Sequence, residues 1–190
     1  SHEFEPSDLP GYVHEVATTL VRIHNIAPTG LASTNPHRFD VSRAHRWISD
    51  PALARAVVEA ASDNSPGQLQ PVLVHGDYQP LNMLWQGQRL SGVVDWAYAG
   101  SGPREIDVGL CRFSLAVVFS EQTAETFLSL YEAEAGVQVD PRADIRALLS
   151  FEPSWLSLIS RQMARPGPTD RRGMVDRVEA TLRRAIARLP

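Results

Sequence analysis

The stretch Val72-Leu-Val-His-Gly-Asp-Tyr-Gln-Pro-Leu-Asn-Met-Leu-Trp85, followed by Leu90-Ser-Gly-Val-Val-Asp-Trp96, differs in kind from the chain around it. Residues 71–75 form a short apolar run with the character of a buried strand. Residues 82–85 and 90–95 flank Gln86-Gly87-Gln88 and read as the two arms of a hairpin. On either side the apolar spacing changes to three and four. That spacing predicts helices over 8–26, from near Ser42, and over 51–62, 104–119, 121–135, 141–163 and 170–189. Asp8 can cap the first, with Pro10 in its first turn; Asp50-Pro51 and Asp140-Pro141 start two others, and Gly136 stops the 121–135 helix. Pro28, Gly30, Asn35 and Pro36 make 27–42 a long loop, Ser65-Pro66-Gly67 ends the 51–62 helix, and Pro153 is expected to break or kink 141–163. The expected fold class is mainly α with a small central β-hairpin insert.

The insert holds nearly all the polar residues that packing does not explain. Asp77 follows the apolar strand directly, in a loop shaped by Gly76 and Pro80. Asn82 stands at the start of the next strand and Asp95 at the end of the hairpin, so antiparallel pairing can bring the two together. Two oxygen-bearing side chains suit a hard divalent ion such as Mg²⁺, with phosphates and water filling its other positions. Asp77 is then free to serve as a base. A base and a metal pair, without a nucleophilic Ser or Cys, point to phosphoryl transfer onto a hydroxyl. Singly, each residue reads as a turn former; the information is in the joint pattern.

That pattern is H-x-D, four residues, N, then D after a hairpin, which is the order and spacing of a kinase catalytic loop and metal aspartate. Together with Gly102-Pro103 and Asp107, the segment 72–110 resembles the aminoglycoside phosphotransferase/choline kinase family, in which a glycine such as Gly76 replaces the protein kinase arginine. The resemblance implies the C-terminal helical lobe of the protein kinase-like fold. It implies Asp77 as catalytic base, Asn82 and Asp95 as Mg²⁺ ligands, and His75 and Asp107 as braces of the loop. It also implies ATP or GTP as donor, a small-molecule hydroxyl as acceptor (antibiotic, aminoalcohol or sugar), and antibiotic resistance as a biological setting. Acceptor contacts are expected from the helices after 104, where Glu105, Glu132, Glu134 and Asp144 are available. A non-catalytic kinase-like binding module is the alternative, and a metal-dependent phosphohydrolase would need more ligands than the insert offers.

Composition narrows this further. The chain has 190 residues, 43% hydrophobic and 21% charged, which fits one globular domain and excludes a disordered or collagen-like chain. Its 18 basic residues are all arginine. No lysine is present to grip nucleotide phosphates, and the 70 residues before the loop read as helices. The expectation is a single helical lobe over 3–190, with the nucleotide-binding N-terminal lobe absent and the isolated chain inactive. The face that meets such a lobe should be apolar, and a homodimer through it is expected. A net charge of −4 gives no basic footprint for nucleic acid. The arginines of 161–188 read as a solvated helix face. Cys111, the lone cysteine, excludes an intrachain disulfide and reads as a buried thiol. No apolar run approaches the ~18 residues of a membrane span, and the N-terminus does not read as a signal peptide, so the expected compartment is the cytoplasm, with no membrane partner.

Overall fold

The computed structural model describes residues 6–34, 39–62, 70–152, 154–156 and 171–190. Its helices are α1 (Leu9–His24), α2 (Ala44–Trp47), α3 (Pro51–Ser62), α4 (Glu105–Val118), α5 (Glu121–Ala135), α6 (Arg142–Ser150) and α7 (Arg171–Ala187). Its strands are β1 (Val72–Val74), β2 (Met83–Gln86), β3 (Arg89–Val93) and β4 (Gly100–Gly102). The helix signals act as expected. Asp8 accepts from Gly11 N, Asp50 accepts from Ala52 N and Leu53 N, and Gly136 closes α5 at φ 65°, a conformation glycine adopts without penalty.

The strands form two antiparallel ribbons, β1 with β4 and β2 with β3. Strand β4 carries no apolar signature, since its sequence is Gly-Ser-Gly. It exists because a second backbone lies against it. Thr34 N donates to Ser101 O, and Ser101 N donates to Ala32 O. A Cβ on Gly100 would lie 2.7 Å from the Thr34 side chain, so only glycine admits that approach.

Helix α4 is the axis of the molecule. Every residue from Asp107 to Val118 is buried, as befits a helix surrounded on all sides. One cluster packs Val108, Cys111 and Leu115 against Val16 and Leu20 of α1 and Phe127 and Tyr131 of α5. The other packs Phe113 and Val117 against Trp47, Val57, Leu148 and Leu182. Burial holds the Cys111 thiol well above its ordinary range, so it packs as an apolar group. Trp47 and Trp85 are core residues too, 2% and 4% exposed.

Three features add to the expected picture. Helix α6 ends at Ser150, before Pro153, the residue expected to break or kink 141–163; Pro153 and residues 157–163 lie outside the described residues. Glu152 precedes a proline, which disfavours helical backbone there. The freed carbonyls are taken by side chains: Arg43 Nη1 donates to Leu149 O and Ser150 O, and Trp47 Nε1 donates to Phe151 O. Second, the C-terminal arginines do more than face water. Arg177 donates to the carbonyls of Ala116 and Val117 at the end of α4, and Arg188 reaches Glu132 and Val139 O. Third, Arg112 is 2% exposed at the middle of α4. Its guanidinium is paired with Asp144 and, at 2.5 Å, with Glu125.

Burial raises the Asp144 carboxyl from 3.8 to about 6, against the pull of Arg112 and Arg188 and with a smaller push from Glu125. The unfolded chain thus releases this proton at lower pH than the folded one, so ionising Asp144 costs stability. The stability of the wild type relative to Asp144→Asn is expected to be greatest below about pH 4, to decline up to about pH 6, and to be constant above. Urea denaturation of both proteins across that range measures it; a difference that rises with pH would contradict the assignment.

Candidate functional site

The loop that follows β1 is built from below by one carboxylate. Asp107, in the first turn of α4 and 0% exposed, accepts from His75 N at 2.7 Å through Oδ2 and from Gly76 N at 2.8 Å through Oδ1. His24 Nε2, at the end of α1, lies 3.2 Å from the same Oδ2. The two amides can converge because Gly76 adopts φ 81°. A Cβ at this position would stand 2.5 Å from Tyr98 O, so conformation and space both demand glycine.

His75 ties two loops together. Asp77 N donates to its Nδ1 at 3.2 Å, so the ring proton belongs on Nε2, which donates to Val94 O at 3.0 Å. The Trp96 ring lies 4.5 Å away, centroid to centroid, and its Nε1 donates back to Val93 O. From the other side Tyr78, fully buried, donates to Val16 O of α1.

Asp77 is held by two amides. Gln79 Nε2 donates to its Oδ1, and Asn82 Nδ2 donates both to its Oδ2 and to its backbone carbonyl, all at 2.8 Å. Each carboxylate oxygen keeps a further lone pair. Asn82 sits in a 3-10 turn, Pro80–Asn82, immediately before β2. Its carbonyl accepts from Val94 N at 2.9 Å, which places Asp95 one residue beyond its backbone partner. Asp95 is exposed and adopts φ 64°, the sole non-glycine residue with positive φ among those described. Such backbone costs about 1–3 kcal/mol and recurs at functional sites.

The hairpin therefore brings Asn82 and Asp95 into neighbouring backbone positions, with Asp77 bonded to Asn82 and with His75 and Asp107 beneath. The donor set fits a hard divalent ion. Both Asn82 amide hydrogens point toward Asp77, so Oδ1 is its remaining acceptor, and Asp95 adds a solvent-facing carboxylate. Two protein oxygens match the habit of Mg²⁺, which completes its shell with phosphates and water. Among the described residues no group of three or more His, Cys, Asp or Glu could hold a metal alone, so any ion here needs oxygens from another source.

Two of the acidic residues considered for an acceptor are engaged in ion pairs. Asp144 is buried on Arg112, and Glu132 accepts from Val139 N and Arg188. Glu134 is exposed on α5, and Glu105 opens α4. Gln79 and His24 are site residues that sequence reasoning passed over. Gln79 is 7% exposed with its Oε1 buried and unpartnered. A buried amide that donates to Asp77 is visible only once the loop is folded. Among the described residues the exposed large apolar ones are Ile26, Leu31, Val94, Trp96 and Tyr98, three of them on the segment that follows β3. No described helix is long and apolar enough to cross a membrane.

A mainly helical body carries this loop between two short ribbons. The chain superimposes on a macrolide 2'-phosphotransferase type I with a TM-score of 0.54 at 22% identity, covering 93% of this chain and 60% of that one. It also superimposes on a thermostable mutant of the aminoglycoside phosphotransferase APH(4)-Ia, solved as a ternary complex with ADP and hygromycin B. That match has a TM-score of 0.54 at 16% identity, covering 92% and 65%. In sequence, residues 2–146 match the model of the phosphotransferase enzyme family, and the chain belongs to that family. It is similar to a homoserine kinase of Brucella anthropi, 28% identical over 139 residues, 63% of this chain and 42% of that protein. The chain thus spans less than half the length of this curated relative.

Removing the central carboxylate should be felt across the site. Asp107→Ala orphans two buried amides and is expected to cost roughly 2–6 kcal/mol, about 1–3 for each buried donor. Gly76→Ala should cost about 1–3 kcal/mol through its backbone conformation alone. Urea denaturation reads both; losses below 1 kcal/mol, ~fivefold in the folding equilibrium, would show that the loop is held by something else.

Proposed function

We propose that the chain is the catalytic-loop and acceptor-binding lobe of an ATP-dependent small-molecule phosphotransferase. The observation that carries this reading is the Asp77–Asn82 pair, two side chains locked by hydrogen bonds and standing beside the strained Asp95. In a phosphoryl transfer the protein's task is to position the acceptor hydroxyl and stabilise charge. Asp77 is the group that accepts and orients the hydroxyl proton. Its two amide partners hold the carboxylate in place, and each oxygen keeps a lone pair for the acceptor hydroxyl. Asn82 Oδ1 and the Asp95 carboxylate would hold Mg²⁺, which when bound neutralises charge on the nucleotide phosphates. His75 keeps the two loops at a constant spacing, because one ring bonds to Asp77 N and Val94 O. Asp107 fixes the loop against α4.

The acceptor is a hydroxyl of an aminoglycoside-like antibiotic, an aminoalcohol or a sugar. Family membership supports the reaction class, and the names of the similar proteins support this range of acceptors. A nucleotide-holding lobe outside these 190 residues completes the enzyme in this reading. Three facts support that. The chain covers 60% and 65% of the two solved structures, it contains no lysine, and Val94, Trp96 and Tyr98 present apolar surface beside the loop. The same surface would serve a homodimer of the isolated lobe.

Transfer from ATP to a panel of aminoalcohol, sugar and aminoglycoside hydroxyls, measured with Mg²⁺ on the full-length gene product and on the 190-residue chain alone, tests the proposal. The full-length protein is expected to turn over and the chain alone to be inactive, because losing the nucleotide's positioning forfeits far more than one catalytic group. Asp77→Asn should lower the full-length rate about 10²–10⁴-fold with thermal stability retained. Turnover by the chain alone, abolished by Asp77→Ala, would remove the second lobe from the proposal; full activity of Asp77→Asn would remove Asp77.

A further inference from the structure

We propose that Tyr131, held in place by Arg104, is a positioning residue for the 75–77 loop, because its hydroxyl and the Asp107 carboxylate together fix the His24 ring and the nitrogen that carries its proton. The argument is one of donors and acceptors. Arg104 Nη1 lies 3.1 Å from the Tyr131 oxygen. A guanidinium can only donate, so the phenol oxygen accepts there. The single O–H proton of Tyr131 is then directed to His24 Nδ1, 2.6 Å away. A ring nitrogen that accepts is bare, so the His24 proton sits on Nε2, 3.2 Å from Asp107 Oδ2. The carboxylate accepts that proton together with the amide hydrogens of His75 and Gly76. Every bond in the series Arg104, Tyr131, His24, Asp107 therefore runs in one direction and ends under the loop.

The opposite tautomer breaks the series twice. A proton on Nδ1 would leave the tyrosine proton without an acceptor, and a bare Nε2 would face a carboxylate oxygen lone pair to lone pair. These atoms are out of water, with Tyr131 and Asp107 0% and His24 5% exposed, so solvent does not rescue either mismatch. The charged and titratable groups that face this series include Arg104 and Glu105, which act on Tyr131, and Cys111 and Tyr78, which lie near Asp107. Burial pushes the Tyr131 hydroxyl up to about 12, so it remains a donor throughout the working range. The placement of Arg104 also makes sense in these terms. It occupies the N-cap of α4 without a side-chain cap bond, where the helix dipole disfavours a cation, and its contact with Tyr131 gives that cation a task.

The consequence for rate rests on reading residues 75–77 as the catalytic loop; the tautomer does not, so it is measured without substrate on the 190-residue chain. Nitrogen NMR of the imidazole should show a single His24 tautomer protonated on Nε2. Tyr131→Phe keeps the ring, which packs edge-on against His24 at 5.6 Å, and removes only the proton. It removes one of the two constraints on the ring, while the Asp107 carboxylate still keeps the proton on Nε2, so it should speed amide exchange of His75 and Gly76 about five- to tenfold, with amides of α3 and α7 unchanged. Arg104→Met, which keeps the apolar stem and frees the tyrosine oxygen, should act in the same direction. A His24 ring protonated on Nδ1 in the wild type would overturn the proposal even if neither variant folds. So would Tyr131→Phe with unchanged exchange at His75 and Gly76. If the proposal holds but the full-length Asp77→Asn enzyme stays active, the lock exists and the catalytic reading of the loop is what fails.

Discussion

Three donors meet on Asp107: two backbone amides from the loop after β1 and one imidazole from the end of α1. A carboxylate with no solvent exposure must be satisfied by such contacts, because an unpaired buried charge is among the most costly defects a fold can carry. The requirement works in both directions. Asp107 needs the loop in order to be buried, and the loop needs Asp107 to hold two successive amides pointing the same way. Gly76 supplies the backbone turn that makes the convergence possible, and α4, buried along its whole length from Asp107 onward, supplies an anchor packed on all sides.

The site above inherits this order. Once His75 and Gly76 are pinned, the His75 ring is aimed at Val94 O and the Asp77 amide at the His75 ring. Asn82 and Gln79 then complete a cage around one carboxylate. Rigid backbone below and short side-chain bonds above are the arrangement by which a protein holds a reacting group within a fraction of an ångström, a condition for large gains from positioning.

Much of this was legible in the sequence, for identifiable reasons. Helices α1, α3 and α5 announce themselves through local signals, Asp8, Asp50-Pro51 and Gly136, that act within one turn. The hairpin was visible because its arms flank a turn, and Asp77, Asn82 and Asp95 because their spacing is joint information. What escaped depends on contacts distant in sequence. Strand β4 is Gly-Ser-Gly and pairs only because Ala32–Thr34 and Val72–Val74 arrive on its two sides. The stop of α6 before Pro153 was legible, but not the bonds that Arg43 and Trp47 make to the carbonyls of Leu149, Ser150 and Phe151. Arg112 looks like any helix arginine until Glu125 and Asp144 close on it. His24 and Tyr131 lie 107 positions apart, and nothing local links them.

The ribbon topology has a mechanical meaning. Strand β1 is joined to β2 by the 75–82 segment, and β3 is joined to β4 by the 94–99 segment, while hydrogen bonds close β4 onto β1 and β2 onto β3. The result is a closed four-bar frame with two stiff sides and two connecting rods, one bearing Asp77 and the other Asp95. In such a frame neither rod can shift alone. The separation of the two aspartates is set by the angle between the ribbons, and the His75 ring, bonded to both rods, acts as the diagonal strut that fixes that angle.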